Sequence, residues 1–282
     1  MPYRRRVIDP SSTIVDRLRG AGCVFAEEEA AILASSASSS RELDAMVAQR
    51  VEGLPLEQVV GWAEFGGLRI LVDPGVFVPR RRSEFLVEVA AAGAPGDRAV
   101  IVDLCCGTGA LGLAAGARLA GQAPTPGVTA LGAPASLGTV ELHAAELDPV
   151  AVACARRNVE PAGGHVHEGD LFGPLPGELR GRVDILICNA PYVPTGEMAF
   201  MPPEARDHEA RMALDGGADG LAILRRVAEL APGWLVPGGT LLVETGERQA
   251  SLMADAMTSA GLRPAVHRDE ETGATVVTGT RP

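Results

Sequence analysis

The chain has 282 residues, 46% of them hydrophobic, enough to bury a sizeable core in one large domain or in a large domain beside a small one. Its 25 Lys and Arg against 36 Asp and Glu give a formal charge of −11, which excludes a broad basic footprint for nucleic acid and leaves room only for a local one. The 5 cysteines include no C-x-x-C pair, which fits neither a zinc ribbon nor a disulfide framework and places the chain in a reducing compartment.

Met1 to Ser12 carries three arginines with no apolar run behind them, and no later stretch is apolar for the length of a membrane span. Neither secretion nor membrane attachment is expected, and the cytoplasm is the expected location. From Ser11 to Gly53, short periodic runs (Ile14, Val15, Leu18; Ala30, Ile32, Leu33; Leu43, Met46, Val47) alternate with Ser and Gly breaks, predicting a small helical unit over residues 1–53. Ser11 or Ser12 is the expected cap of the first helix and Ser40 that of the third, with Glu42 in its first turn. Residues 54–78 change to β-type runs separated by turn residues (Val59, Val60, Trp62, Phe65-Gly66-Gly67, Leu68 to Val72, Pro74-Gly75), predicting a hairpin that links two domains.

Beyond Val78, apolar strands alternate with helices, so residues 79–282 predict an α/β domain. Strands are expected at Ala99–Leu104, Thr139–Glu146, His165–Glu168, Val183–Cys188 and Gly239–Thr245, with a closing pair near Arg263–Arg268 and Ala274–Gly279. Together they make a seven-stranded, mostly parallel, doubly wound sheet. Gly121 to Gly138, almost all small residues without charge, reads as an inserted surface loop of low complexity.

The first strand runs into Asp103-Leu104-Cys105-Cys106-Gly107-Thr108-Gly109-Ala110, a Gly-rich turn opening a helix. Small residues admit a ligand close to the backbone, and a helix N-terminus offers free N–H groups. Nucleotide, flavin and S-adenosylmethionine sites share this turn, and a plain strand-to-helix corner has the same outline. The second strand ends at Glu146-Leu147-Asp148-Pro149, where Glu146 suits the hydroxyls of a ribose and Asp148 the cap of a helix with Pro149 at its first position. The third ends at Gly169-Asp170-Leu171-Phe172, where Asp170 can accept from an adenine amino group and Leu171 can cover the ring. Three strand ends with ligand-type groups on one edge of a parallel sheet outweigh the corner alone.

The fourth strand stops at Asn189-Ala190-Pro191-Tyr192. This resembles the Asn/Asp-Pro-Pro-Tyr/Phe signature of class I S-adenosylmethionine-dependent methyltransferases that modify planar nitrogens, with Ala190 in place of the first proline. An amide or aryl amine has a delocalised lone pair and must be aligned and polarised before it attacks. The side-chain oxygen of Asn189 and the carbonyl of Ala190 supply two acceptors for its N–H groups, and Tyr192 packs on the planar group. Alanine keeps that carbonyl, and Pro191 still biases Ala190 towards extended geometry, so the cost is a loss of stiffness on the order of 0.4–1 kcal/mol.

The likeness extends to Leu54-Pro55-Leu56-Glu57-Gln58-Val59-Val60-Gly61, Phe65 to Leu68, Pro74 to Arg80 and Ser83-Glu84, then to Pro203 to Glu209, Ala213 to Leu221 and Glu244 to Ala250. These segments resemble the release-factor glutamine methyltransferases, from Leu54 to the end of the chain. The resemblance implies a Rossmann-like fold and a protein-(glutamine-N5) methyltransferase. Its cofactor would be S-adenosyl-L-methionine, with S-adenosyl-L-homocysteine as product, and its substrate the Gly-Gly-Gln loop of class I peptide chain release factors. The same resemblance assigns Asp103, Gly107, Gly109, Glu146, Asp170 and Asn189 to the donor and Asn189, Ala190, Pro191 and Tyr192 to the substrate; Cys105, Thr108 and Leu171, in the same turns, are counted with the donor positions. The helical unit would contact the release factor, and a monomer that binds neither membrane nor nucleic acid is expected. The chain departs from the family at Cys105 and Ala210, where glycine and proline are usual, and in Glu270 to Thr275, which lacks a Gly-x-x-Arg ending; it reads as a diverged relative or paralogue.

His165 and His167 share one face of a strand but lack a third ligand, so a metal is not expected. Arg80-Arg81-Arg82 before Ser83-Glu84 reads as a solvated turn into a helix capped by Ser83, with a charged partner surface as the alternative, and the family resemblance leaves room for a partial lid over the donor pocket. Cys105-Cys106 reads as packing, with a possible sensitivity to oxidants. Two rival functions remain open: an adenine N6-methyltransferase, which the net charge disfavours, and a catalytically silent donor-binding module, which an intact Asn189 and an open glycine turn disfavour.

Overall fold

The structure is a computed structural model that describes residues 12–94, 98–121 and 137–282. The expected cap Ser11 and most of the expected low-complexity loop, 122–136, lie outside the described residues. Three helices, α1 (Ser12–Gly20), α2 (Ala26–Ser36) and α3 (Ser40–Val51), bury Leu18, Leu33, Leu43 and Val47 against one another. The short α4 (Leu56–Val60) adds Val59 and Val60 to the rim of this cluster. Ser39 rather than Ser40 caps α3: its backbone is extended and its Oγ accepts the Glu42 N–H at 3.2 Å, whereas Ser40 already lies in the helix. In a run of adjacent serines, backbone geometry and not composition selects the cap.

The expected hairpin is present as β1 (Trp62–Phe65) and β2 (Leu68–Leu71), antiparallel and closed by Gly66 and Gly67 at φ +56° and +73°. Two left-handed residues in succession match the twist of the flanking strands and require glycine here. The next helix, α5 (Glu84–Ala92), follows a single 3-10 turn over Arg81–Ser83. Ser83 makes no cap hydrogen bond and is buried, contrary to the capping role expected of it.

The remaining chain alternates as expected: β3 (Val100–Leu104), α6 (Ala110–Leu119), β4 (Glu141–Glu146), α7 (Pro149–Val159), β5 (His165–Glu168), β6 (Val183–Cys188), α8 (Pro203–His208), α9 (Ala222–Leu230), β7 (Leu235–Glu244), α10 (Ala250–Ser259), β8 (Arg263–Asp269) and β9 (Ala274–Thr280). The seven-stranded sheet has the order β5-β4-β3-β6-β7-β9-β8, with only β9 antiparallel to its neighbours. Two strands start later than expected, at Val100 and Glu141, and one starts earlier: β7 begins at Leu235 instead of Gly239 and takes in Pro237-Gly238, an irregularity where the register with β6 shifts. Leu137, expected in a surface loop, is 2% exposed and packs on α6.

Alternation along the strands sends side chains to two cores. Ile101, Ile185 and Ile187 meet Leu86 and Leu113 on one face, with Phe65 and Ile70 of the hairpin. Leu104, Leu186 and Cys188 meet Leu224, Trp234 and Met253 on the other. The chain leaves β3 in one direction through β4 and β5 and returns to its other side at β6, so the strand order reverses between β3 and β6. Ligands of open parallel sheets bind beyond the strand C-termini at such a reversal.

Candidate functional site

A cavity of about 250 Å³ opens there, lined by Cys105, Gly107, Thr108, Glu146, Asp170, Leu171, Asn189, Ala190, Pro191 and Tyr192, with Phe77, Leu111 and Leu147 giving it an apolar wall. It gathers the substrate tetrapeptide and seven of the expected donor positions into one wall system. Two expected residues do not face it. Asp103 is fully buried and turned inward, with Oδ2 accepting the Gly112 N–H at 2.9 Å. Gly109 is the left-handed N-cap of α6, where a Cβ would come within 2.5 Å of Val159 Cγ2, so its role is to let α6 meet α7.

Glu146 ends β4 with its carboxylate fixed by three backbone N–H groups: Gly107 to Oε2 at 2.9 Å, Leu147 and Asp148 to Oε1 at 2.7 and 3.0 Å. A carboxylate has about four acceptor sites, so capacity for a hydroxyl remains. Asp148 caps α7 from the next position but one, accepting the Val150 N–H at 2.9 Å, with Pro149 opening the helix. Asp148 is thus the cap that the sequence suggested, while the Glu146 carboxylate faces the cavity. Gly107 sits at φ +56°, and a Cβ there would meet only open space, which leaves the backbone accessible to a ligand.

Among the described residues, the two non-glycine positions with left-handed φ are Cys105 (+53°) and Leu171 (+48°), both in this wall. Such strain collects at ligand sites. It also explains why glycine suits position 105. Asp170 is not free in the cavity wall: Arg226 on α9 donates to its Oδ2 at 2.6 Å, across a half-exposed pair, leaving Oδ1 as the available acceptor.

The tetrapeptide emerges from β6 and is held from several sides. Gln249 Nε2 donates to the Tyr192 carbonyl at 2.9 Å, and Val193 exchanges hydrogen bonds with Leu214 and Gly216 at 3.1 and 2.8 Å. Asn189 Nδ2 lies 3.4 Å from both Ser83 Oγ and Glu244 Oε2. The Tyr192 hydroxyl donates to Glu244 Oε1 at 2.9 Å, and Arg82 binds the same two groups, reaching Glu244 Oε1 through Nε at 3.0 Å. Burial beside the Glu244 carboxylate pushes the Tyr192 phenol well above its usual range, so it stays protonated.

Arg80 and Arg82 are thus not a solvated turn. Arg80 forks onto the buried Glu209 at 2.6 and 2.7 Å, and Arg82 reaches into the site. The ion pairs and hydrogen bonds of Glu209, Glu244, Gln249, Arg80 and Arg82 were not assigned from sequence, although all but Arg82 fall within the segments that carry the family resemblance. Asn158 was also missed. It binds both Leu71 backbone groups and the Thr108 carbonyl at 2.9–3.0 Å, tying the hairpin to the glycine turn.

His165 and His167 do share a face, and His143 of β4 lies against both, its Nδ1 2.9 Å from His167 Nε2. Burial holds His143 and His167 below the usual histidine range. Among the described residues, no group of three or more His, Cys, Asp or Glu is placed to hold a metal. Cys106 is buried and Cys105 faces the cavity. No helix among the described residues is long and apolar enough to cross a membrane.

No family model matches the chain. The release factor glutamine methyltransferase of Geobacter sulfurreducens is 36% identical over 84% of this chain and 76% of its own length. That of Mycolicibacterium smegmatis is 40% identical over 77% of this chain and 70% of its own. Among solved structures, a methyltransferase from Pyrococcus furiosus superposes with a TM-score of 0.51 over 76% of this chain and 89% of its own at 16% identity, a likeness of fold.

Proposed function

The chain belongs to the release factor glutamine methyltransferase family, and from that premise we propose that it methylates N5 of the Gly-Gly-Gln glutamine of a class I peptide chain release factor. The observation that carries this reading is the position of Asn189-Ala190-Pro191-Tyr192, in one cavity wall with Gly107 and Glu146 in another. S-adenosyl-L-methionine supplies an electrophilic methyl group when bound, and S-adenosyl-L-homocysteine leaves. The residues present fit that donor. Glu146 would take the ribose hydroxyls, the open backbone at Gly107 would admit the donor close to the chain, and Leu111, Leu147 and Leu171 would offer apolar surface to the adenine, with Asp170 Oδ1 as acceptor for its amino group.

For the acceptor, Asn189 Oδ1 and the Ala190 carbonyl receive the two N–H groups of the glutamine amide. This orients the nitrogen and draws electron density towards it as the new C–N bond forms. Tyr192, its hydroxyl locked by Glu244 and Arg82, offers its ring as a packing surface for the planar amide. The methylated nitrogen is strongly acidic and gives up one N–H proton to solvent water as the thioether leaves, so no strong base is needed in the wall. Ala190 in place of proline keeps the acceptor, and the bonds from Gln249, Leu214 and Gly216 restrain the loop that proline would have stiffened.

By the same reading residues 1–53 recognise the release factor, 54–78 link, and 79–282 carry the chemistry, in a cytoplasmic monomer that engages neither nucleic acid nor membrane. The test is methyl transfer to a purified class I release factor. Asn189→Ala is expected to cut turnover by about two orders of magnitude or more while the donor dissociation constant stays within about threefold. Equal turnover in the variant refutes the amide clamp.

A further inference from the structure

We propose that Glu244 is a positioning residue for methyl transfer: its buried carboxylate dictates which end of the Asn189 amide faces the substrate and holds Tyr192 beside it. This rests on the glutamine-methylating reading of the site. Glu244 ends β7, directly beside β6 through the pairing of Val243 with Cys188, and its side chain is 3% exposed. It is not part of the cavity lining, so it acts through its neighbours.

The oxygen and nitrogen of an asparagine amide have nearly the same shape, and only their partners tell them apart. Asn189 has two partners on its Nδ2 side. Ser83 Oγ, at 3.4 Å, is a hydroxyl that accepts or donates equally well and expresses no preference. Glu244 Oε2, also at 3.4 Å, is an obligate acceptor when ionised. A flipped amide would set Oδ1 against that carboxylate, and would turn its NH2 towards the substrate, donor against donor. The negative charge of Glu244 thus selects the one orientation in which Asn189 accepts from a substrate N–H. The other oxygen, Oε1, takes the Tyr192 hydroxyl at 2.9 Å and the Arg82 Nε–H at 3.0 Å, and the guanidinium compensates the charge where it is buried.

The test joins spectroscopy to kinetics. Asn158 and Asn189 are the only asparagines in the chain, so 15N-asparagine labelling of the full protein gives two side-chain NH2 signals, assigned by the loss of one in Asn189→Asp. In Glu244→Gln the Asn189 NH2 protons are expected to exchange with solvent about tenfold faster or more, with the Asn158 signal unmoved as the control for folding. Turnover on a release factor is expected to fall on the order of tenfold to a hundredfold, the donor dissociation constant staying within about twofold. The double variant Asn189→Asp with Glu244→Gln then places an amide donor opposite a carboxylate whose second oxygen still faces the substrate. It is expected to exceed Asn189→Asp alone by about tenfold, a coupling that loss of packing does not produce.

Unchanged exchange at Asn189, wild-type turnover in Glu244→Gln, or a double variant no better than Asn189→Asp overturns the proposal. A wild-type enzyme that transfers no methyl to the release factor refutes the reading of function instead, and the exchange measurement still decides the role of Glu244.

Discussion

Asp103 shows how much a single buried group can shape the behaviour of this site. Its Oδ2 accepts from Gly112, its Oδ1 has no partner among the described residues, and burial pushes the carboxyl up to about 7 from an ordinary 3.8. Between those values the folded state holds a proton that the unfolded state has lost. The stability due to this group is therefore complete below 3.8, declines as pH rises, and is gone above about 7. Denaturant midpoints measured from pH 4 to 8 are expected to show that decline in the wild type and a flatter profile in Asp103→Asn; parallel profiles refute it. That Asn189, Tyr192 and Glu146 line one cavity and that Asp148 caps a helix was legible in the sequence, because each sits at or just beyond a strand end. Arg82, Glu244 and Gln249 were not, because what they do depends on partners that only the folded sheet brings near. The inward turn of Asp103 was equally hidden, since its motif is that of a donor ligand and its burial is a property of the packing around α6.

At the scale of elements, the clamp on the tetrapeptide is built by the loop before α9. Gly220 has φ +78°, and a Cβ there would approach the Tyr192 carbonyl and Gln249 Nε2 within 2.2 Å. Gly220→Ala is expected to lower stability by at least about 1–2 kcal/mol from the left-handed conformation alone and to reduce turnover by displacing Tyr192. Gly196→Ala, whose Cβ meets open space, is the control, and denaturant midpoints with initial rates compare the two. Strands, helix order and the hairpin were readable from periodicity and turn residues. The irregularity in β7 was not, because Pro237-Gly238-Gly239 has the composition of a turn, and only the shifted register with β6 keeps it in a strand. A buried Arg50 likewise escapes periodicity. It joins α2 through Glu29 at 2.6 Å and α8 through Glu204 at 2.7 Å, so the N-terminal helices are tied to the segment that precedes the cavity residue Ala210.

The molecule as a whole combines a net charge of −11 with a site to which we assign acceptors for a planar N–H2 group. The charge offers no electrostatic support for gripping a nucleic-acid backbone, and the family relatives are named for a release factor glutamine. The fold class was legible because alternating strands and helices admit few arrangements. The substrate was legible only through family likeness, since an amide and an aryl amine ask the same of Asn189 and Ala190. Tandem mass spectrometry of a class I release factor, after incubation with this enzyme and isotopically labelled S-adenosyl-L-methionine, tests that claim most directly. One labelled methyl on the glutamine of the Gly-Gly-Gln peptide, absent when Asn189→Ala replaces the wild type, is the predicted result. An unmodified peptide, under conditions where the donor binds and adenine-containing nucleic acid or another amine is methylated instead, would contradict it.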